Sequence, residues 1–228
     1  MRLQLKFLSR LRRPMHPIPH DLRAVILDYG MVLCRKPSVG KIDRIAQLFE
    51  VDHTTFWQLY EQHRGAYDKN DISGKEYWGR FARDTKTRLD DDTLEQLLRW
   101  DIEIWSNLEE PLLSWTRSLR VAGFKTALLS NLHLRFSAHI RSSSEWLQLF
   151  DHQIFSSEVR LIKPDPAIFL KCLQALRVKP GQTLFIDDRD ANVKTAIALG
   201  GYAIKYESVP QLAKELKALQ FPVLPLSL

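Results

Sequence analysis

Cysteines and long apolar runs are both scarce in this sequence of 228 residues. The two cysteines, Cys34 and Cys172, are too few for the disulfide framework of a small secreted protein, which favours a reducing, cytoplasmic location. No run of about eighteen apolar residues occurs, so we expect no stable membrane insertion. With 45% apolar and 26% charged residues, the composition is that of an ordinary globular protein with a sizeable core.

Acidic residues are absent from the first twenty positions, which carry five of the six net positive charges. The remaining 208 residues are therefore close to neutral, and the charge of +6 does not indicate a nucleic-acid-binding surface. We interpret residues 1–21 as a basic N-terminal tail. A membrane-surface helix, a targeting peptide and a leader upstream of Met15 remain alternatives for this segment.

Five short apolar runs without strict alternation are typical of strands that are buried on both faces. They are residues 24–27, 126–129, 153–155, 183–186 and 202–206. After residue 108 these runs alternate with helical patterns, which predicts right-handed crossovers and a doubly wound parallel sheet in an α/β core.

Residues 40–108 contain no strand pattern and instead show apolar residues at helical spacing. We predict four helices there, rich in aromatic residues, the last of them opened by the acids at positions 90–92. The expected organisation is an all-α unit, residues 37–108, inserted into an α/β core made of residues 22–36 and 109–228.

Polar side chains follow four of the predicted strands, at the edge where ligands bind in open parallel sheets. They are Asp28, Ser130, Asn131, Lys163, Asp187 and Asp188. Each taken alone is more often a turn or helix-capping residue. A carboxylate, a hydroxyl–amide pair, a lysine and two further carboxylates at successive strand ends instead indicate phosphoryl transfer, with Mg²⁺ offsetting the acids.

Four segments carrying these residues resemble the motifs of the haloacid dehalogenase (HAD) superfamily, in the subfamily with a helical cap inserted after strand one. The segments are Asp28-Tyr29-Gly30-Met31-Val32-Leu33, Leu129-Ser130-Asn131, Ser156-Ser157-Glu158-Val159 with Lys163-Pro164-Asp165, and Phe185-Ile186-Asp187-Asp188. The combination of all four segments is specific to this superfamily, and the resemblance extends over roughly residues 22–220. The resemblance implies a Rossmann-like core with strand one between strands two and four.

The resemblance also implies the roles of the site residues. Asp28 is the nucleophile that forms an aspartyl-phosphate, and Lys163 bridges it to the phosphate. The metal ligands implied are Asp28, the Gly30 carbonyl, and one or both of Asp187 and Asp188. Ser130 and Asn131 hold phosphate oxygens, and Asn192 supports the last motif. The expected enzyme is a Mg²⁺-dependent phosphatase.

Gly30 departs from the pattern of many HAD phosphatases, which have an acid–base aspartate at this position. General acid–base catalysis contributes about 10²–10⁴-fold to rate. Three alternatives follow: the leaving groups are good ones, the cap supplies an acid, or turnover is slow. A dehalogenase would leave the acidic pair 187–188 without a purpose, and a catalytically weak binding or regulatory protein is the rival from another class.

The expected substrate is a small phosphorylated metabolite, such as a sugar phosphate, and the expected assembly is a monomer or a homodimer. Of the candidates for substrate contact, His133 is the strongest because it lies two residues beyond Asn131. The others are Arg35, Lys36, Tyr67, Lys75 and Tyr77.

Overall fold

The predicted strands form one five-stranded parallel sheet in the computed structural model, which describes residues 21–225. The strands are β1 (Ala24–Leu27), β2 (Lys125–Ser130), β3 (His152–Phe155), β4 (Thr183–Asp187) and β5 (Tyr202–Lys205). Their order in the sheet is β3-β2-β1-β4-β5, and every neighbouring pair is parallel. The expected position of strand one, between strands two and four, is confirmed.

Both faces of the central strand are covered, which explains why its sequence does not alternate. Val25 and Leu27 belong to the apolar cluster on one face of the sheet. Ala24 and Ile26 belong to the cluster on the other face. A strand buried on both faces has no solvent-facing position that would select a polar residue.

Helices after residue 108 connect the strands and supply those two layers. They are α6 (Glu110–Val121), α7 (Leu134–Ser143), α8 (Ser156–Val159), α9 (Pro166–Leu176), α10 (Asp190–Ala198) and α11 (Val209–Ala218), with short 3-10 helices at Glu145–Leu149 and Pro180–Gln182. The predicted α9 begins at Pro166 because proline suits the first helical turn, and Asp165 caps the helix by accepting a hydrogen bond from Ala167 N at 2.9 Å.

The segment between β1 and α6 forms a helical unit with an apolar core of its own. Its helices are α1 (Val39–Leu48), α2 (His53–Gln62), α3 (Arg64–Asp68), α4 (Gly74–Thr85) and α5 (Asp91–Glu103). Asp52, Ser73 and Asp90 cap the starts of α2, α4 and α5 with their side-chain oxygens.

Two short helices, α3 and α8, were not anticipated from the sequence, because helices of five and four residues are too short to show a period. The proposed basic tail lies outside the described residues except for Asp21. Within residues 21–225, none of the helices combines the length and apolarity that a bilayer crossing requires.

Candidate active site

The sheet register brings three acidic residues to one edge. Leu27 of β1 lies opposite Ile186 of β4, so Asp28 and Asp187 follow side by side. The pairing is continued by a hydrogen bond from Asp28 N to the Ile186 carbonyl at 3.0 Å. With Asp188 next in the chain, each residue offers one carboxylate oxygen, and these three oxygens lie within 4.8 Å of one another.

Lys163 lies between two of these carboxylates. Its Nζ is 2.8 Å from Asp28 Oδ1 and 2.7 Å from Asp187 Oδ2, and the ammonium is almost completely buried. Burial alone would lower the pKa of this lysine, but Asp187 and Asp28 outweigh it and raise the pKa. Burial also raises the pKa of Asp28, against the attraction of Lys163. The geometry thus places a buried, doubly ion-paired ammonium beside the predicted nucleophile.

Asn131 holds the lysine loop rather than pointing freely into solvent. Its amide oxygen accepts a hydrogen bond from Lys163 N at 2.9 Å, and its Nδ2 donates to the Lys163 carbonyl at 3.0 Å. This pair of bonds ties the loop after β3, which carries the Lys163 backbone, to the end of β2.

Asp187 and Asp188 differ in the number of hydrogen-bond donors that contact their carboxylates. Asp187 is fully buried and accepts from Lys163, from Asn192 Nδ2 at 2.9 and 3.0 Å, and from Arg189 N at 2.9 Å. No donor in residues 21–225 contacts the Asp188 carboxylate, which is half-buried. Burial, together with the charges of Asp28 and Asp187, raises the pKa of Asp188 to about 6. Asp188 thus has oxygens to offer a ligand.

The donor set fits a hard divalent cation. Three carboxylates converge on one point, and the single ammonium of Lys163 offsets only one of their charges. Oxygen ligands with excess negative charge suit Mg²⁺, which binds through one or two carboxylates and keeps several waters. The fit rests on the unsatisfied oxygens of Asp188 in particular.

A cavity of about 410 Å³ opens above these residues, between the sheet edge and the helical unit. Predicted site residues that line it are Asp28, Gly30, Ser130, Asn131, Lys163 and Asp188, with Asn192 beside them. Asp187 does not line the cavity; it is fully buried and accepts a hydrogen bond from Lys163 Nζ. The size suits a small metabolite.

His133, like Asp187, is a predicted site residue that does not line the cavity. Its side chain is fully buried and stacks on Tyr67 with ring centroids 4.3 Å apart. Nδ1 accepts a hydrogen bond from Phe136 N, and Nε2 lies 3.3 Å from Asp101 Oδ2. Burial lowers the pKa of His133 despite that carboxylate. His133 is therefore a buried contact between the core and the helical unit rather than a cavity residue, which argues against the predicted substrate contact.

The other candidates for substrate contact also lie outside the cavity lining. Arg35 pairs with Glu109 at 2.8 Å, and Lys75 pairs with Asp91 at 3.2 Å on the surface. Tyr67 and Tyr77 are buried in the core of the helical unit, and Lys36 is exposed.

Helices α2 and α3 instead provide cavity residues that sequence reasoning missed: Tyr60, Glu61, Arg64, Gly65 and Asp68. Their spacing looks like that of an ordinary amphipathic helix. A hint exists in hindsight, because Arg64 and Asp68 are charged residues four positions apart inside a highly aromatic segment.

Arg64 is the centre of a buried polar cluster on this side of the cavity. Its Nη1 donates to Asp101 Oδ1 at 3.0 Å and to the Tyr60 hydroxyl, and its Nε donates to Asp68 Oδ1 at 2.9 Å. Burial opposes the ionised form of Asp101, but Arg64 and His133 outweigh it and lower its pKa. By contrast, burial outweighs Arg64 at Asp68 and raises the pKa of that carboxyl to about 7.

Comparison with known proteins bears on this arrangement. The family model described as "haloacid dehalogenase-like hydrolase" matches residues 35–200. Acyl-CoA dehydrogenase family member 10 of Mus musculus is 37% identical over 105 residues, 44% of this chain and 9% of that protein. Bifunctional epoxide hydrolase 2 of Rattus norvegicus is 32% identical over 127 residues, 53% of this chain and 23% of that protein. The chain thus spans less than a quarter of the length of these relatives.

A solved structure shares the fold over most of both chains. It is a HAD family enzyme from Bacteroides thetaiotaomicron, in complex with magnesium and inorganic phosphate. The TM-score is 0.64 with 19% sequence identity, and the match covers 82% of this chain and 94% of that one.

Proposed function

Because the chain belongs to the haloacid dehalogenase-like hydrolase family, we propose that it is a magnesium-dependent phosphatase in which Asp28 takes the phosphoryl group from a small phosphorylated metabolite. The observation that carries this proposal is the convergence of Asp28, Asp187 and Asp188 within 4.8 Å, beside the buried Lys163 ammonium. The magnesium and phosphate bound by the similarly folded Bacteroides enzyme add support.

Each side chain has a role in the proposed reaction. Asp28 attacks phosphorus in line, and the resulting aspartyl-phosphate is hydrolysed by water. Lys163 offsets the charge of the transferring phosphoryl group while Asn131 holds its loop in place. Ser130, buried at the end of β2 and lining the cavity, donates its hydroxyl to a phosphate oxygen.

Asp28, the Gly30 carbonyl and Asp188 would hold Mg²⁺, which would neutralise charge on the phosphate oxygens. We assign the direct carboxylate contact to Asp188 rather than Asp187, because Asp187 already accepts hydrogen bonds from Lys163, Asn192 and Arg189. Asp187 then keeps Lys163 in place. A haloacid dehalogenase would need no acidic pair here, so we do not favour that activity.

The helical unit would act as the cap that closes the site. Its α2 and α3 line the cavity opposite the strand ends. Surface ion pairs such as Arg189 with Glu61 (2.9 Å) and Arg135 with Glu95 (3.0 Å) join it to the core. Closure would exclude water and select the substrate through the residues of α2 and α3.

The test is a screen of phosphorylated metabolites and p-nitrophenyl phosphate with Mg²⁺ or with EDTA. We expect turnover with Mg²⁺ and none with EDTA, and we expect Asp28→Asn to abolish turnover while the circular dichroism spectrum stays unchanged. Asp190→Asn, which removes an exposed carboxylate at the start of α10, is the matched control and should retain full activity. Wild-type rates in Asp28→Asn would refute the assignment.

A further inference from the structure

The proposed reaction lacks a proton donor at the sheet edge. The position two residues beyond Asp28 is Gly30, which lines the cavity but has no side chain to donate a proton. Expulsion of a basic alkoxide without protonation is slow, and general acid catalysis is worth about 10²–10⁴-fold at such a step. If the substrate is an alkyl phosphate, another group in the cavity has to supply the proton.

Four carboxyl groups line the cavity: Asp28, Glu61, Asp68 and Asp188. Asp28 and Asp188 are the nucleophile and metal ligand of the proposed function. Glu61 is exposed and pairs with Arg189 at 2.9 Å. Asp68 also pairs with an arginine, Arg64, at 2.9 Å, but unlike Glu61 it is buried.

In the part of the chain that the structure describes, only one of the two Asp68 carboxylate oxygens receives a hydrogen bond. Its Oδ1 accepts a hydrogen bond from Arg64 Nε at 2.9 Å, whereas no donor within residues 21–225 contacts Oδ2. The side chain retains 8% exposure, and the residue lines the cavity. A carboxyl group with one oxygen held and one free is suited to present a proton in a fixed direction.

The backbone of Asp68 is attached to the catalytic edge of the sheet. Ser156 Oγ donates to the Asp68 carbonyl at 2.6 Å and accepts from Leu132 N at 2.9 Å. Leu132 directly follows Ser130 and Asn131, so a single buried hydroxyl bridges the end of α3 to the loop after β2. Asp68 therefore has a defined position relative to the phosphate site.

We propose that Asp68, supplied by the helical unit, is the general acid–base of this enzyme and replaces the aspartate that is missing at Gly30. The proposal rests on the proposed phosphatase function. The groups that face Asp68 are Arg64 on its own helix, Asp101 on α5 and Glu61 on α2. Burial raises its pKa to about 7, which leaves a substantial protonated fraction at neutral pH.

Asp68 gives up a proton in the first step of the proposed reaction and regains one in the second. When an Asp28 oxygen bonds to phosphorus, the bond from phosphorus to the leaving oxygen breaks, and that oxygen takes the proton of the Asp68 carboxyl group. In the second step water attacks the phosphorus of the aspartyl-phosphate. Asp68, now a carboxylate, takes the proton of that water, and the phosphorus–Asp28 bond breaks to return the Asp28 carboxylate and inorganic phosphate.

Two phosphate esters of similar shape test the assignment. Benzyl phosphate has a strongly basic leaving alkoxide, whereas p-nitrophenyl phosphate releases a phenolate that needs no proton. The quantity to compare is kcat/KM, because it covers the steps up to the departure of the leaving group. We expect Asp68→Asn to lower kcat/KM for benzyl phosphate about 10²–10⁴-fold and to leave that for p-nitrophenyl phosphate nearly unchanged.

Asp71→Asn is the matched control, since Asp71 lies outside the cavity lining and pairs with Arg160 at 3.2 Å on the surface. It should leave both values unchanged. Adding Gly30→Asp to Asp68→Asn should restore benzyl phosphate turnover. Within 4 Å, a Cβ at residue 30 would meet only Trp105 Cζ3, at 3.8 Å, so the structure has space for the first carbon of an aspartate side chain there.

The outcomes separate the two proposals. Equal losses on both esters in Asp68→Asn would mean that Asp68 only holds Arg64, and this would overturn the acid–base role. A double variant as slow on benzyl phosphate as the single one would also overturn it. In either case Asp28→Asn would still abolish turnover. If the wild type with Mg²⁺ hydrolyses neither ester nor any metabolite of the screen, the phosphatase proposal itself fails.

Discussion

Replacing Lys163 by methionine should reveal how strongly the acidic edge of the sheet depends on one buried cation. The ammonium makes two ion pairs, at 2.8 and 2.7 Å, and is almost completely buried. Methionine approximates the shape of the stem but leaves Asp28 and Asp187 without a counter-charge. Removing one partner of a buried pair costs about 3–5 kcal/mol.

For a chain of this length, each kcal/mol shifts the unfolding midpoint by about 2–4 °C. In EDTA, Lys163→Met should therefore unfold roughly 6–20 °C below the wild type. The assay is thermal unfolding followed by circular dichroism at low salt. Lys171→Met, which removes an exposed lysine on α9, is the control and should stay within about 0.5 kcal/mol of the wild type.

Magnesium should then stabilise the variant more than the wild type. A divalent cation bound at the three carboxylates replaces the lost positive charge, and a ligand that binds only the folded state raises its stability. A variant that unfolds at the wild-type temperature in EDTA would refute the reasoning. That result would mean that Asp28 and Asp187 become protonated in the variant at little cost in free energy, so that their ion pairs with Lys163 contribute nothing to stability.

Two further predictions concern the helical unit. Asp68→Asn should alter the pH dependence of stability. Between pH 4 and 7 the folded wild type keeps the Asp68 carboxyl protonated, whereas the unfolded chain ionises it. The free energy of unfolding of the wild type therefore falls by at most about 1.4 kcal/mol per pH unit as the pH rises. Urea unfolding at several pH values should show a steeper loss of stability in the wild type than in the variant, in which Asp28 and Asp188 still have raised pKa values, and equal slopes would contradict the raised pKa of Asp68. Gly74→Ala should destabilise by about 1–3 kcal/mol, because its Cβ would lie 2.5 Å from a methyl group of Leu98. Gly79→Ala, in the same helix with no atom within 4 Å, should stabilise by about 0.5–1 kcal/mol; similar midpoints for the two would show that Gly74 is not closely packed.

The sequence by itself determined the framework of this protein. The short apolar runs located all five strands, since a strand covered on both faces needs several consecutive apolar residues. The polar residues after four of these runs marked the edge of the sheet that carries the candidate site, because the carboxyl ends of parallel strands lie together. Asp28, Lys163 and Asp188 were found in this way. The apolar runs and the polar residues that follow them depend only on neighbouring positions in the sequence, so they can be recognised without knowledge of the tertiary packing.

Only the tertiary structure decided which side chains face the cavity. His133 lies between two leucines and Asp68 follows Tyr67, so each is a polar residue beside apolar or aromatic ones, and no local pattern shows which of them faces the cavity. Tyr67 and Asp101 cover His133, whereas the end of α3 leaves one Asp68 oxygen open. These contacts join residues that are tens of positions apart, so they depend on how the helical unit packs against the sheet. Periodicity describes one element at a time and carries no information about that packing.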